Sequence, residues 1–459
     1  MQNITDRHLL GAPLCRMLHW LAAGDVSAEH LARVSLDAIA QRNPRLNAFF
    51  PPLEESVLTQ ARESDRRRAV GGPIGRLDGV PIAIKDNIDV AGLPSHCGLP
   101  GAPPPVARDA AVVERLRGAG AVIVGKTGMD EGPDAEGKNP HFGNVHNPWR
   151  SDFTPGGSSA GAAAAVAAGL CTAAIGSDSL GSIRIPASYC GVYAFKPTSG
   201  EISLRGVAPA ARRLDCIGLA ARGVDDLGVL LHVLAGYDAA DPRSRRRRVE
   251  PDLPDWEPGR MRVGVLGDLP AWGAGADVVA PFTRALDALA HELPNRQVVD
   301  FADFPIAAAR RAGLLLMEAE MLTAYPAATL ADVSPRLRRM LDYARGKTAA
   351  DYATADRMLD AAVLKARRLF ADIDVLVTPT TPQVAFAHAK TAPADQADFT
   401  AFANLSGCPA LSLPMGLTDA GLPTGLQLMG APGSDLRLLE LAQVCAAALD
   451  TTPDYPVDP

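Results

Sequence analysis

The sequence predicts an α/β protein built on a mainly parallel or mixed β-sheet with helices covering both faces. Three observations lead there. Short apolar runs recur along the chain and alternate with stretches of helical periodicity, the order that builds parallel or mixed sheets. The 42 Gly and 38 Pro lie among those runs as turn punctuation. Neither an internal repeat nor a long polar linker divides the 459 residues, so the whole chain, 1–459, reads as one domain. A mainly helical region lies within it at about 240–370.

Taken in order, Ser27 caps a helix from Ala28 to about Arg42, with Leu31, Val34, Leu36 and Ile39 along one side. A second helix covers Glu54 to Arg68. Gly79 to Lys85 follows as a strand, Val80, Ile82 and Ile84 alternating against Pro81, Ala83 and Lys85. Asp109 caps a helix through Leu116, and Ala121 to Val124 is a short buried strand. A helix of very small residues spans about Ser159 to Ala168, a strand lies near Cys171 to Ile175, and a helix near Asp225 to Leu234 closes the first half. Met261 to Leu266 is the next buried strand. Helical patterns dominate from Pro281 to Phe370, with breaks near Pro294, Pro305 and Pro335. Strands return at Ile373 to Val377, Ala410 to Leu413 and Thr424 to Leu428, before a last helix near Leu436 to Leu449.

Composition excludes several classes. At 47% hydrophobic and 21% charged residues the chain can bury a sizeable core. A net charge of −7 argues against an electrostatic nucleic-acid binder. The one basic run, Arg243 with Arg245 to Arg248, reads as a solvated loop. Seven widely spaced Cys, with no C-x-x-C pair, suggest reduced thiols in the cytoplasm. Met1 to His8 already carries Asp6, Arg7 and His8, unlike a secretory leader. The longest uncharged apolar stretch, Ala160 to Gly176, is too short and too small-residued to span a membrane. A soluble, cytoplasmic protein is expected.

Two motif matches fail on their mechanism. Gly120-Ala-Val-Ile-Val-Gly125-Lys126-Thr127 fits the phosphate-loop pattern, but its middle is an apolar strand where a flexible loop is required. Gly157-Ser158-Ser159-Ala160-Gly161 fits the G-x-S-x-G elbow, which demands a strand just before the Ser; Asn144 to Gly156 is a loop with Pro148 and Pro155. His141 and His146 read as surface-loop histidines rather than metal ligands. Cys190 reads as a small buried hydrophobe.

Three further features carry chemistry. Lys85 ends a buried strand, where lost solvation lowers an amine's pKa. Thr154-Pro-Gly-Gly-Ser-Ser-Ala-Gly161 feeds a helix small enough for close backbone packing. Gly176-Ser-Asp-Ser-Leu-Gly-Ser-Ile-Arg-Ile-Pro186 is a Gly/Ser turn whose N–H groups can converge on an anion. In this order, together with Gly79-Val-Pro81, Cys190-Gly191 and Lys196-Pro-Thr198, they resemble the amidase signature family. The resemblance runs from Ser27 to Leu234. It resumes at Ile373 to Pro382 and from Asn404 to Gly430, through Asn404-Leu-Ser-Gly-Cys-Pro409 and Gly421-Leu-Pro-Thr-Gly-Leu-Gln427.

The resemblance implies the amidase signature fold, a large mixed β-sheet covered by helices on both faces, and a Ser–Ser–Lys triad. Ser182 would be the nucleophile, Ser158 the proton relay, held by a cis Gly157–Ser158 peptide, and Lys85 the base, neutral when it acts. The oxyanion would meet backbone N–H groups of Ser179, Leu180, Gly181 and Ser182. Asp178 and Arg184 would brace that turn, and Ser159 would hydrogen-bond within the core. One departure stands out: the family usually has Gly where this chain has Leu180, which puts pocket shape in question more than the triad. Met129 to His141 and Ala307 to Met358 are the expected pocket walls.

The activity implied is hydrolysis of a small amide or ureido C–N bond, with no cofactor, metal, nucleic acid or membrane partner, and with homodimers common among relatives. The alternative is the glutaminase-type A subunit of a tRNA-dependent amidotransferase. That subunit typically follows its Ser-Ile-Arg with Gln, where this chain has Ile185. Ala397-Asp398 falls in the region where it places an acidic residue for glutamine. A non-catalytic binding protein on the same fold is the third reading.

Overall fold

The computed structural model describes residues 4–246 and 257–457. Arg247 and Arg248 of the basic run lie outside the described residues.

Ten strands form one sheet: β1 (Pro81–Lys85), β2 (Val122–Thr127), β3 (Ala173–Asp178), β4 (Tyr193–Lys196), β5 (Cys216–Ala221), β6 (Val263–Leu266), β7 (Arg296–Val299), β8 (Val375–Pro379), β9 (Ala410–Leu417) and β10 (Pro423–Gly430). Their order across the sheet is β2-β1-β3-β5-β4-β9-β10-β8-β6-β7. The sheet is mixed. β1 runs parallel to β2 and β3, and β6 runs parallel to β7 and β8. The strands between pair antiparallel. β1, β2, β3, β4, β5, β8 and β10 are buried along their whole length, as expected of a sheet covered on both faces.

Most expected elements are present, with informative differences. Ser27 Oγ accepts from His30 N–H, and the helix it caps continues to Leu46. Asp109 is not a cap: the helix starts at Ala111, after Ala110, while the Asp109 carboxylate takes Ala91 N–H and Arg117 Nε–H. Strands β4, β5 and β7 were not foreseen. Buried on both faces, β4 and β5 show no polar alternation to reveal them. Arg-Gln-Val-Val of β7 is a half-exposed edge strand in what reads as a helical region. The turn after β3 is shorter than expected, because Gly176-Ser177-Asp178 completes the strand and Arg184–Cys190 is a helix. Pro186 is tolerated there because a first-turn residue needs no intrahelical N–H bond.

The small-residue helix, Ala160–Ala167, is buried throughout and packs beside the end of β2, with Gly161 N–H on Gly128 O at 3.0 Å. Gly176 and Gly218 pair across β3 and β5. A Cβ on either would press into the Ile183 side chain, at 2.8 and 2.6 Å. The bare pair is the seat for Ile183, and it fixes the residue beside Ser182 onto the sheet.

Candidate active site

Lys85 closes β1 with its side chain wholly buried. Its Nζ donates to Ser158 Oγ at 2.8 Å and to Ser177 Oγ at 2.9 Å, and Asn87 Nδ2 also reaches Ser177 Oγ at 3.1 Å. Burial lowers the amine from 10.5 to about 8, against the upward pull of Asp130, Asp178 and Asp215. Ser158 follows a cis peptide with Gly157. Ser159 ties the two loops together: its N–H donates to Ser182 O and its hydroxyl to Ser177 O, each at 3.0 Å. It therefore does not face the pocket as an elbow nucleophile.

Between Thr154 and Ser199, Ser182 is the only residue that is not buried. It lines a cavity of about 340 Å³, whereas Lys85 and Ser158 lie outside its wall. Among the described residues no hydrogen bond joins the Ser158 and Ser182 hydroxyls. The cavity wall also takes Pro133 to Ala135, parts of helices Ile306–Ala324 and Pro335–Arg345, and the segment Thr391–Ala397. The first two walls were expected; the last was missed, since nothing in its Ala/Pro composition signals a site.

The turn that carries Ser182 is held by Asp178 and Arg184, both without solvent exposure. The pair is bidentate, Arg184 Nε on Oδ2 at 2.9 Å and Nη2 on Oδ1 at 3.0 Å. Arg184 spends its remaining donors on Thr400 O, Gln427 Oε1 and Asn404 Oδ1, at 3.0, 2.7 and 2.6 Å. All five guanidinium donors are thus satisfied. Burial works to raise the Asp178 carboxyl, but Arg184 outweighs it and holds the group below the ordinary carboxylate range. Asp178 also takes the N–H of Gly181 at 2.7 Å and of Ile183 at 3.4 Å. Gly181 has φ +124, and a Cβ there would overlap Thr400 Oγ1, so only glycine fits. Leu180 adopts an ordinary backbone conformation; its carbonyl accepts from Thr400 Oγ1 at 2.7 Å.

Ser177, Asn404 and Gln427 were not assigned roles from sequence, nor were two buried acids. Asp130 is raised by burial and by Asp134, and accepts from Glu136 and Gly137 N–H at 2.7 and 2.9 Å. Asp215, pushed up to about 6 by burial, takes the Ser179 hydroxyl at 2.5 Å.

The rejected motifs are placed as follows. Lys126 belongs to β2 and caps Ile88 O at 2.7 Å, so Gly120–Thr127 contains no phosphate loop. His141 pairs with Glu131 at 2.8 Å, and no group of three or more metal-ligating side chains gathers among the described residues. Cys190 is buried, which pushes its thiol pKa up. No helix among the described residues is long and apolar enough to cross a membrane.

The family model described as Amidase matches residues 30–439. The chain belongs to the Amidase family. It is 36% identical to the glutamyl-tRNA(Gln) amidotransferase A subunit of Anaeromyxobacter sp. (strain K), over 95% of this chain and 96% of that one. To the putative amidase AmiA2 of Mycobacterium tuberculosis (strain ATCC 25618 / H37Rv) it is 37% identical, over 94% and 91%. The native peptide amidase from Stenotrophomonas maltophilia superposes with a TM-score of 0.83 at 29% identity, covering 98% of this chain and 99% of that one. The mixed ten-stranded sheet is the amidase signature fold, and the chain is a carbon–nitrogen hydrolase.

Proposed function

We propose that this Amidase-family chain hydrolyses the C–N bond of a small amide through an acyl-enzyme on Ser182. Ser158 relays protons and Lys85 is the base. One observation carries the reading: a wholly buried lysine with a lowered pKa donates to Ser158, while Ser182, the one residue between Thr154 and Ser199 that is not buried, lines a cavity. As Ser182 Oγ bonds to the carbonyl carbon, its proton passes to Ser158, whose own proton goes to Lys85 Nζ. Collapse breaks the C–N bond, and the proton returns through Ser158 to the departing nitrogen. Water then attacks the ester along the same relay and releases the acid. A contact between Ser158 and Ser182 that closes only with substrate bound suits such a relay. The oxyanion donors are the N–H groups of Ser179, Leu180 and Ser182. The fourth expected donor, Gly181 N–H, is engaged by Asp178, and its role passes to bracing the turn. The substrate is a small molecule, and the chemistry calls for neither metal nor cofactor.

The amidotransferase reading draws on the 36% identity to that enzyme's A subunit. Against it, Ile185 lines the cavity, and Asp398, in the glutamine region, is already paired with Arg310. Labelling with a fluorophosphonate, followed by intact mass, tests the proposal. The Ser182 Oγ–P bond forms as fluoride leaves. One adduct is expected on wild type, none on Ser182→Ala, and slow labelling on Lys85→Ala. Folded wild type that takes no label sinks the proposal. Hydrolysis of simple amides by the purified chain alone excludes the need for a partner.

A further inference from the structure

The cavity beside Ser182 has an orientation, a polarity and a size. Its orientation follows from what lines it. Ser182 and Leu180 do, while Lys85 and Ser158 do not. The leaving nitrogen must face the relay that protonates it, so the group entering the cavity is the acyl side of the substrate.

Polarity follows from the walls. Leu180, Ile185, Leu314, Met317 and Met340 supply apolar surface. The charged residues that line it, Arg310, Arg336 and Asp134, are all paired. Arg310 pairs with Asp398, and Arg336 reaches Asp134 and the fully buried Glu136, each at 2.6 Å. Neither an anion nor a cation on the acyl group finds an unpaired partner there, and burying an unpaired charge is costly.

Size follows from about 340 Å³, where an apolar cavity on the order of 150 Å³ already holds benzene. Leu180 bounds that space. Its Cδ atoms lie 3.1 and 3.4 Å from the point where a Cβ on Gly313 would stand. The leucine is therefore seated on a bare stretch of helix Ile306–Ala324.

We propose that this cavity binds the acyl group of neutral, apolar carboxamides, of roughly hexanoyl or phenylpropionyl size, and that Leu180, seated on Gly313, sets the upper limit. The inference rests on the acyl-enzyme reading above.

The test uses the full purified chain and acyl p-nitroanilides with one leaving group: acetyl, butyryl, hexanoyl, octanoyl, succinyl and 6-aminohexanoyl. A second set holds the acyl group fixed and varies the amine. kcat/KM is expected to rise up to about fourfold per methylene until the cavity fills, the equivalent of about 0.8 kcal/mol per buried CH2. Both charged acyl groups should fall more than roughly tenfold below neutral ones of equal length. Leu180→Ala should move the optimum to longer acyl groups. Gly313→Ala, whose new methyl pushes Leu180 inward, should move it to shorter ones. Labelling rates with alkyl fluorophosphonates of rising chain length should follow the same order, even where a variant turns over slowly. A flat or falling acyl series overturns the inference, as does a preference for a charged acyl group, a size dependence confined to the amine, or an unmoved optimum in both variants. Each of those leaves the Ser182 chemistry standing. Wild type that neither labels nor hydrolyses any amide overturns the Ser182 chemistry itself, and this inference with it.

Discussion

The pH dependence of kcat/KM tests whether burial prepares Lys85 to act as the proposed base. The amine donates to two hydroxyls in a site closed to solvent, and its pKa falls from 10.5 to about 8. At pH 7 about one molecule in ten then carries the neutral amine, roughly 300-fold more than at the ordinary value. kcat/KM should climb about tenfold per pH unit up to about pH 8 and level above it. The perturbation is Ser177→Ala, which removes one of the two acceptors on the ammonium. A hydrogen bond to a charged group is worth about 1 kcal/mol more than one to a neutral group. Losing it disfavours the charged form, so the acid limb should move down by roughly 0.7 of a pH unit. Initial rates of p-nitroanilide hydrolysis between pH 5.5 and 9.5, for wild type and variant, give both limbs. Ser177 is a positioning residue in this argument, so the position of the limb decides and its height does not. A wild-type profile flat from pH 6 to 9, or a variant limb displaced upward, would refute it.

Other expectations follow from the same contacts. Lowering the Lys85 pKa from 10.5 to about 8 costs about 3 kcal/mol of stability at pH 7, where the buried amine is still mostly charged, so Lys85→Met should inactivate the chain yet raise its urea midpoint at pH 7. Because the folded pKa is lowered, wild type gains stability as pH rises from about 8 to 10.5, and the difference should shrink over that window. Arg184→Met leaves Asp178 as an unpaired buried carboxylate and should cost about 3–5 kcal/mol, read as a lowered urea midpoint. The Asp178 carboxyl is held below its ordinary range, so the contribution of this pair is full above about pH 4 and lost as pH falls further; a variant no less stable than wild type at pH 7 would count against it. Gly181→Ala forces φ +124 on a residue with a Cβ and should lose about 1–3 kcal/mol together with fluorophosphonate labelling.

What the sequence made legible was local. Lys85, Ser158 and Ser182 sit in short motifs whose Gly and Ser content marks them, and the structure brings Lys85 and Ser158 into contact. Ser177 was not legible. In Ala173–Asp178 the residues are too small for alternation to show, so Gly176-Ser177 reads as a turn although it ends the strand. Cys216–Ala221 escaped for a related reason, since a strand buried on both faces has no polar side to display. Asp130 was hidden within a stretch read as variable pocket wall. Its carboxylate serves the backbone N–H groups of Glu136 and Gly137, a task to which no side-chain pattern points.

The least legible feature is also the most consequential. Arg184 follows Ser182 by two residues, yet its partners Thr400, Asn404 and Gln427 come from 216, 220 and 243 residues further on. Asn404 closes the loop by donating to Asp178 O at 2.9 Å, and Gln427 is held in turn by Thr378 Oγ1 and Phe399 O, at 3.0 and 2.8 Å. Thr378, Asn404 and Gln427 lie in the stretches where the family resemblance resumes after the helical region, and the contacts supply a reason. The hydroxyl that reaches the cavity is aimed by a turn, the turn is clamped by one arginine, and the arginine is oriented by the last third of the chain. A loss of the Asn404 or Gln427 amide should therefore act on kcat without touching substrate, because the turn's N–H groups, as the proposed oxyanion donors, keep their direction only while the clamp holds.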